Sequence, residues 1–118
     1  MTKFRFQDFE IWKEAIEIGD MLFDIAESLE QNKLFRFAEQ LRGAAMSISN
    51  NIAEGSGSTS KKEFHQFLNI ARRSTFENAN ILLILNRRNL ISESVLRTIL
   101  ERLDILCRKI TNFQRSLR

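Results

Sequence analysis

Side chains able to do chemistry are scarce in this chain. His65 is the only histidine and Cys107 the only cysteine among 118 residues, and tyrosine is absent. A dinuclear metal centre in a helical bundle needs a Glu-x-x-His pair on each of two helices, so that both ligands project inward one turn apart. Here Glu63 stands two residues before His65, which puts the two on different sides of a helix. No metal site follows, and His65, beside a helix start and off the apolar stripe, reads as a solvated surface residue. A nucleophilic cysteine needs a base within reach, and the one histidine lies near the start of a different helix. Cys107, flanking Leu103 and Ile110, reads as a half-buried structural thiol. Gly55-Ser56-Gly57 lacks the Lys-Ser/Thr of a phosphate loop and follows no strand. With no constellation for nucleophilic or acid–base catalysis, the expectation is no enzyme and no cofactor.

Charge is the remaining resource. Residues 1–30 hold three Lys/Arg against eight Asp/Glu, residues 31–60 three against two, and residues 61–118 twelve against five. The net +3 is therefore −5, +1 and +7 in sequence. The cations of the last segment are Lys61, Lys62, Arg72, Arg73, Arg87, Arg88, Arg97, Arg102, Arg108, Lys109, Arg115 and Arg118. Phosphate neutralisation needs clustered cations and no sequence motif, which makes RNA or DNA a candidate partner. The candidate contacts are Arg72, Arg73, Arg87, Arg88, Arg108 and Lys109. On one helix Arg73, Arg87 and Arg88 fall within about a third of the circumference, Arg72 somewhat apart. Base-stacking platforms are not evident, because Trp12 and the phenylalanines mostly sit on apolar stripes. Two other readings stay open: a solvated face, or cations that pair with the acidic first segment, in this chain or in a neighbour.

The elements that carry these residues are helices. With no proline, four glycines and 43% hydrophobic residues, the composition excludes collagen, a Pro/Gly-rich disordered tail and a disulfide scaffold. Turn residues are too few for an all-β chain. The periodicity predicts one all-α domain over 1–118, with helices at about 8–30, 34–54, 61–89 and 93–116. Phe9, Trp12, Ile16, Gly19, Phe23 and Ala26 give the first stripe, with Asp8 as its N-cap. Leu34, Ala38, Leu41, Ala45, Ile48 and Ile52 give the second, closed by Gly55 as the C′ residue. After the Gly55–Ser60 loop, Ser60 and Glu63 form a capping box for a third helix carrying Phe64, Leu68, Ala71, Thr75, Leu82 and Leu85. Ser92 caps the fourth, whose stripe runs through Leu96, Ile99, Leu103, Leu106, Ile110, Phe113 and Leu117. Short connections predict an antiparallel up-down-up-down four-helix bundle.

Apolar surface exceeds what one bundle needs. The first helix bears a second stripe of Ile11, Ala15, Ile18, Leu22, Ile25 and Leu29, so that roughly 200° of its circumference is apolar, about twice what one-sided packing requires. On the third helix Phe76, Leu83 and Ile84 point away from the main stripe. These predict a homo-oligomer with Ile11, Ile18, Leu22, Ile25, Phe76, Leu83 and Ile84 at its interface. The N-terminus lacks the apolar h-region of a signal peptide, and no apolar run approaches a membrane span, so a cytoplasmic chain with no membrane partner is expected.

Three segments resemble the bacterial four-helix-bundle proteins encoded in 23S rRNA intervening sequences. They are the opening Phe6–Ala15, the central Glu39–Gly55 with its Ser47-Ile48-Ser49-Asn50-Asn51-Ile52-Ala53-Glu54-Gly55, and the following Ser60–Arg72. Similarity spans essentially the whole chain. Ser49 stands where the family usually has proline, and Ser58 where it commonly has a basic residue. The resemblance implies a small cytoplasmic bundle assembling into a homo-oligomer, typically a pentamer, with no established enzymatic activity. The accessory proteins of diversity-generating retroelements look similar, and use a basic surface to bind nucleic acid and reverse transcriptase. No catalytic residue carries over. In the central segment Gln40, Ser47, Asn51 and Glu54 flank the apolar stripe, and Asn51 and Glu54 are expected to fix helix register or an interface.

Overall fold

A computed structural model describes residues 1–117; Arg118 lies outside the described residues. A single 3-10 turn, Arg5–Asp8, leads into four helices: α1 Glu10–Gln31, α2 Phe35–Ser56, α3 Lys61–Arg87 and α4 Glu93–Ser116. Each helix packs on the next, α4 packs on α1, and among the described residues the backbones of the diagonal pairs stay apart. The four helices thus form a ring of corners around one core, in a body of 44 × 29 × 20 Å.

Most stripes read from the sequence enter that core. On α2 Ala38, Leu41, Ala45, Ile48 and Ile52 are buried, on α3 Phe64, Leu68, Ala71, Thr75, Leu82 and Leu85, and on α4 Leu96 through Ile110. Helix α1 departs from expectation. Its core residues are Ile11, Ala15, Ile18, Gly19, Leu22, Ala26 and Leu29, so the supposed surplus stripe is mostly the core stripe. Ile11, Ile18 and Leu22 lie inside the single chain and present nothing to a partner, while Ile25 is half-buried against the same core. Ile16 and Phe23 of the supposed core stripe are exposed instead. The physical reason is the corner position: α2 and α4 clasp α1 from two sides, and periodicity alone does not say which of two adjacent stripes bisects the clasp.

Helix ends differ locally. Asp8 closes the 3-10 turn, and the N-cap of α1 is Phe9. Helix α2 runs through Gly55 to Ser56, and Gly55 is a buried helical residue rather than a cap. A Cβ there would sit 2.8 Å from Phe64 Cδ1 and from Phe67 Cβ, so glycine lets α2 and α3 meet. Two non-glycine residues take the left-handed conformation, Lys33 and Asn89. Each ends its helix with a paired closure: Leu34 N–H donates to Leu29 O and Leu90 N–H to Leu85 O, at 2.9 and 2.8 Å. Ser60 and Ser92 cap as expected, their hydroxyls accepting from the backbone N–H of Glu63 and Val95, both at 3.1 Å.

Candidate functional site

Helix α3 carries five Lys/Arg against two Glu, and Arg88 follows at its C-cap. Lys62, Arg73 and Arg87 share one outward arc of about 40°, with Asn80 among them. Arg73, Arg87 and Arg88 are exposed and Arg72 is half-buried. Among the described residues none of Lys62, Arg72, Arg73, Arg87 and Arg88 makes an ion pair with a carboxylate. Arg72 Nε donates to Asn69 Oδ1 at 3.4 Å. Glu77 lies beside Arg73 in a surface groove with Ser47, Ile70 and Ser74.

The cations of α4 are spent differently. Arg108 pairs with Asp104 one turn away at 2.8 Å. Lys109 Nζ lies 2.7 Å from Glu10 Oε1 and 3.8 Å from Glu14 Oε1, both on α1. That hydrogen bond holds Glu10 below the usual glutamate range and raises Lys109 above the usual lysine range. Arg102 Nη2 reaches Glu14 and Glu17 of α1, each at 3.4 Å. Pairing with the acidic first helix, one of the two alternatives to a nucleic-acid contact, is therefore what Arg102 and Lys109 do within the chain. Arg108 and Lys109 already have carboxylate partners; Arg72, Arg73, Arg87 and Arg88 do not.

Exposed large apolar side chains occur on all four helices and are most numerous on α3. Phe76, Leu83 and Ile84 are exposed, as expected, and Ile70 joins them. On α1 Ile16 and Phe23 are exposed among Asp20, Asp24 and Glu27, which make no ion pair with the described residues. Thus an acidic apolar face on α1 and a basic apolar face on α3 point away from each other across the bundle.

A polar seam joins α2 to α3. Asn51 Nδ2 donates to Ser47 O at 2.7 Å and to Ser47 Oγ at 3.2 Å, and the Ser47 and Ser74 hydroxyls meet at 2.8 Å. Asn78, fully buried, donates from Nδ2 to Ala44 O and Ser74 O at 2.8 and 2.7 Å, while its Oδ1 has no partner. Asn51 thus bonds within α2, to the Ser47 whose hydroxyl meets Ser74 of α3, whereas Glu54 is exposed on the surface. Sequence reasoning missed Asn78. The available signal was its place on the buried side of α3, four residues after Ser74 and between Thr75 and Leu82.

The chemically able residues stay apart. His65 is half-buried, and its backbone carbonyl accepts from Gln114 Nε2 at 3.2 Å. Cys107 is a free, half-buried thiol in a cleft of about 120 Å³ between α3 and α4, lined also by Phe76, Ala79, Leu100 and Asp104. No group of three His, Cys, Asp or Glu among the described residues is placed to hold a metal. No helix among them is long and apolar enough to cross a membrane.

These features define a class: a small four-helix bundle. The chain belongs to the 23S rRNA-intervening sequence protein family, whose pattern matches residues 7–112. Its fold is similar to a crystal structure of a protein of unknown function from the S23 ribosomal protein family of Bacteroides thetaiotaomicron. That likeness has a TM-score of 0.83 at 21% identity, over 88% of this chain and 97% of the other. No curated protein matches the sequence.

Proposed function

We propose that this chain is a non-enzymatic, self-associating bundle of antiparallel up-down-up-down helices that binds RNA or DNA phosphates through α3. The single observation that carries the binding reading is the set of five cations, Lys62, Arg72, Arg73, Arg87 and Arg88, with no carboxylate partner among the described residues. Charges left unneutralised on one helix are what a phosphate backbone replaces its counterions with. Helix order is supported by the pairings: Glu10 meets Lys109 while Glu17 meets Arg102, and Ala44 meets Asn78 while Ser47 meets Ser74. Self-association is supported by the exposed Phe76, Leu83, Ile84, Ile16 and Phe23. The free thiol of Cys107 fits a reducing, cytoplasmic setting.

Titrating a fluorescently labelled generic RNA at increasing salt tests the reading. Five phosphate contacts on a single strand predict a log–log slope of roughly −3.5. Arg73→Glu with Arg87→Glu should abolish the binding. No binding at low salt would overturn the nucleic-acid reading and leave a protein-binding adaptor, whose α3 cations face acidic surface on a neighbour. The uncompensated carboxylates of α1 are the observation favouring that second reading.

A further inference from the structure

Among the described residues Phe76, 63% exposed, is the most exposed large apolar side chain on the four helices. It stands on the line of unpaired cations and not on a core stripe. Arg73, Phe76, Asn80, Leu83 and Arg87 keep to an arc of about 80° over an axial length of about 21 Å, and all five are exposed. Lys62 extends the same face about 16 Å before Arg73, with the exposed Asn69 between them. Along α3 the order is therefore cation, aromatic ring, amide, apolar side chain, cation. The one carboxylate of that stretch, Glu77, lies about 100° round the helix from Phe76, on the far side of Arg73. On its other side Phe76 borders the cleft that holds Asp104, whose carboxylate is taken by Arg108 at 2.8 Å.

We infer that the α3 face binds unpaired rather than duplex nucleic acid, with a base stacked on the Phe76 ring. The inference rests on the nucleic-acid reading of α3 and names the form of its partner. It gives Phe76 to a base and leaves self-association to the other exposed apolar side chains. Unpaired cations alone suit a duplex and a strand equally, because counterion release asks only for phosphate. The ring separates the two. In a duplex each base already stacks on its neighbours, and a phenyl ring on the contact line is set against sugar and phosphate. The major groove of an RNA duplex is also too deep and narrow for side chains to read. A single strand has free base faces, and an exposed ring accepts any of them because every base has a π-face. Asn80, one turn on, both donates to and accepts from a base edge, and Leu83, two turns on, offers the next base an apolar seat. Arg73 and Arg87, at the two ends, hold the flanking phosphates. These contacts go to base and phosphate and none needs the ribose hydroxyl, so RNA and DNA strands are bound alike.

Fluorescence anisotropy tests this with three labelled probes of about 12 nucleotides: oligo(U), oligo(dT) and an RNA duplex. Oligo(U) and oligo(dT) should bind within a few-fold of each other, and the duplex about tenfold or more weakly. Phe76→Ala should weaken both single strands about 5- to 150-fold, the worth of one stacked base. Its salt dependence should stay that of the wild type, since no charge is removed. Duplex binding, the mass by light scattering and the circular dichroism melt should also be unchanged, because the ring lies outside the core. Phe76→Trp should keep the affinity and lose emission when oligo(U) is added. Wild-type emission, which comes from Trp12 on α1, should not respond. Equal binding of strand and duplex, or wild-type affinity in Phe76→Ala, overturns the stacked base while the phosphate reading stands. A Phe76→Ala chain of smaller mass assigns the ring to a contact between copies and overturns it as well. Oligo(dT) bound about tenfold more weakly than oligo(U) overturns the restriction to base and phosphate. If neither strand nor duplex binds at low salt, the nucleic-acid reading of α3 itself fails.

Discussion

Between α2 and α3 the joints are short, neutral and enclosed. Small side chains let the backbones approach, Gly55 sits under Phe64 and Phe67, and Ser47, Ser74 and Asn78 hydrogen-bond across the gap. Between α1 and α4 the joints are long, charged and wet. Arg102 and Lys109 span from α4 to Glu10, Glu14 and Glu17, and the Glu10 carboxylate is largely solvent-facing. One aromatic contact, Phe9 with Phe113 at 5.0 Å between ring centroids, reinforces that seam at the end of the bundle. A neutral hydrogen bond out of water keeps its strength when salt or pH changes, whereas an exposed ion pair is screened and titrated away. The bundle therefore has a firm half and a half whose cohesion depends on conditions.

The firm seam should show the largest mutational effects. Asn78→Ala removes both bonds that Nδ2 makes and leaves a void in the α2–α3 contact, so unfolding in urea should cost about 2–4 kcal/mol less than for the wild type. Asn78→Leu keeps the volume and discards the unpartnered Oδ1, and should cost clearly less than alanine. If the two substitutions are equal, the bonds rather than the packing hold the seam. Gly55→Ala comes next. Its Cβ would press on a buried ring and on the Phe67 Cβ at 2.8 Å, and overpacking of this kind costs about 1–3 kcal/mol. A melt unchanged by Gly55→Ala would mean that α2 and α3 part readily at this end, which reverses the contrast between the halves.

How much of this was legible follows the same division. Helix number, the α2, α3 and α4 stripes and the Ser60 and Ser92 caps follow from local periodicity and local hydrogen bonding, which a single sequence carries. The α1 core face was not legible: Ile11, Ile18 and Leu22 and the neighbouring Ile16 and Phe23 have the same spacing, and only the placing of α2 and α4 decides between them. Gly55 read as a stop because glycine often ends helices, yet here it lies within α2 and serves the close approach of Phe64 and Phe67 from the start of α3. The charge pattern was half legible. Charge totals placed the excess of cations in residues 61–118, but Lys109 is compensated by Glu10, about a hundred residues away, a pairing that only the fold reveals. Asn51 was placed on the correct flank, and its partner Ser47 lies one turn away on the same helix, whereas Asn78 and Ala44 meet across two helices.

The wet seam gives the smallest and most conditional effect, and its sign can be worked out. Glu10 is held below its ordinary value of 4.5 by the hydrogen bond from Lys109, so its contribution is complete above that value and is lost as pH falls through the lowered folded value. Lys109 is raised above its ordinary 10.5 by the same bond, so its contribution is complete below that value and is lost as pH rises through the raised one. Between those limits the tie is present, and Glu10→Gln should lower the thermal midpoint slightly at neutral pH and low salt. The gap between Glu10→Gln and wild type should then close in acid, where wild-type Glu10 is itself neutral, and close at neutral pH in about 1 M salt, where the Debye length is near 3 Å. The matching gap for Asn78→Ala should survive both treatments, because no charge enters it. A Glu10→Gln gap that persisted in acid and in high salt would mean that the α1–α4 seam is held by packing around Phe9 and Phe113, and that the two halves of the bundle do not differ in kind.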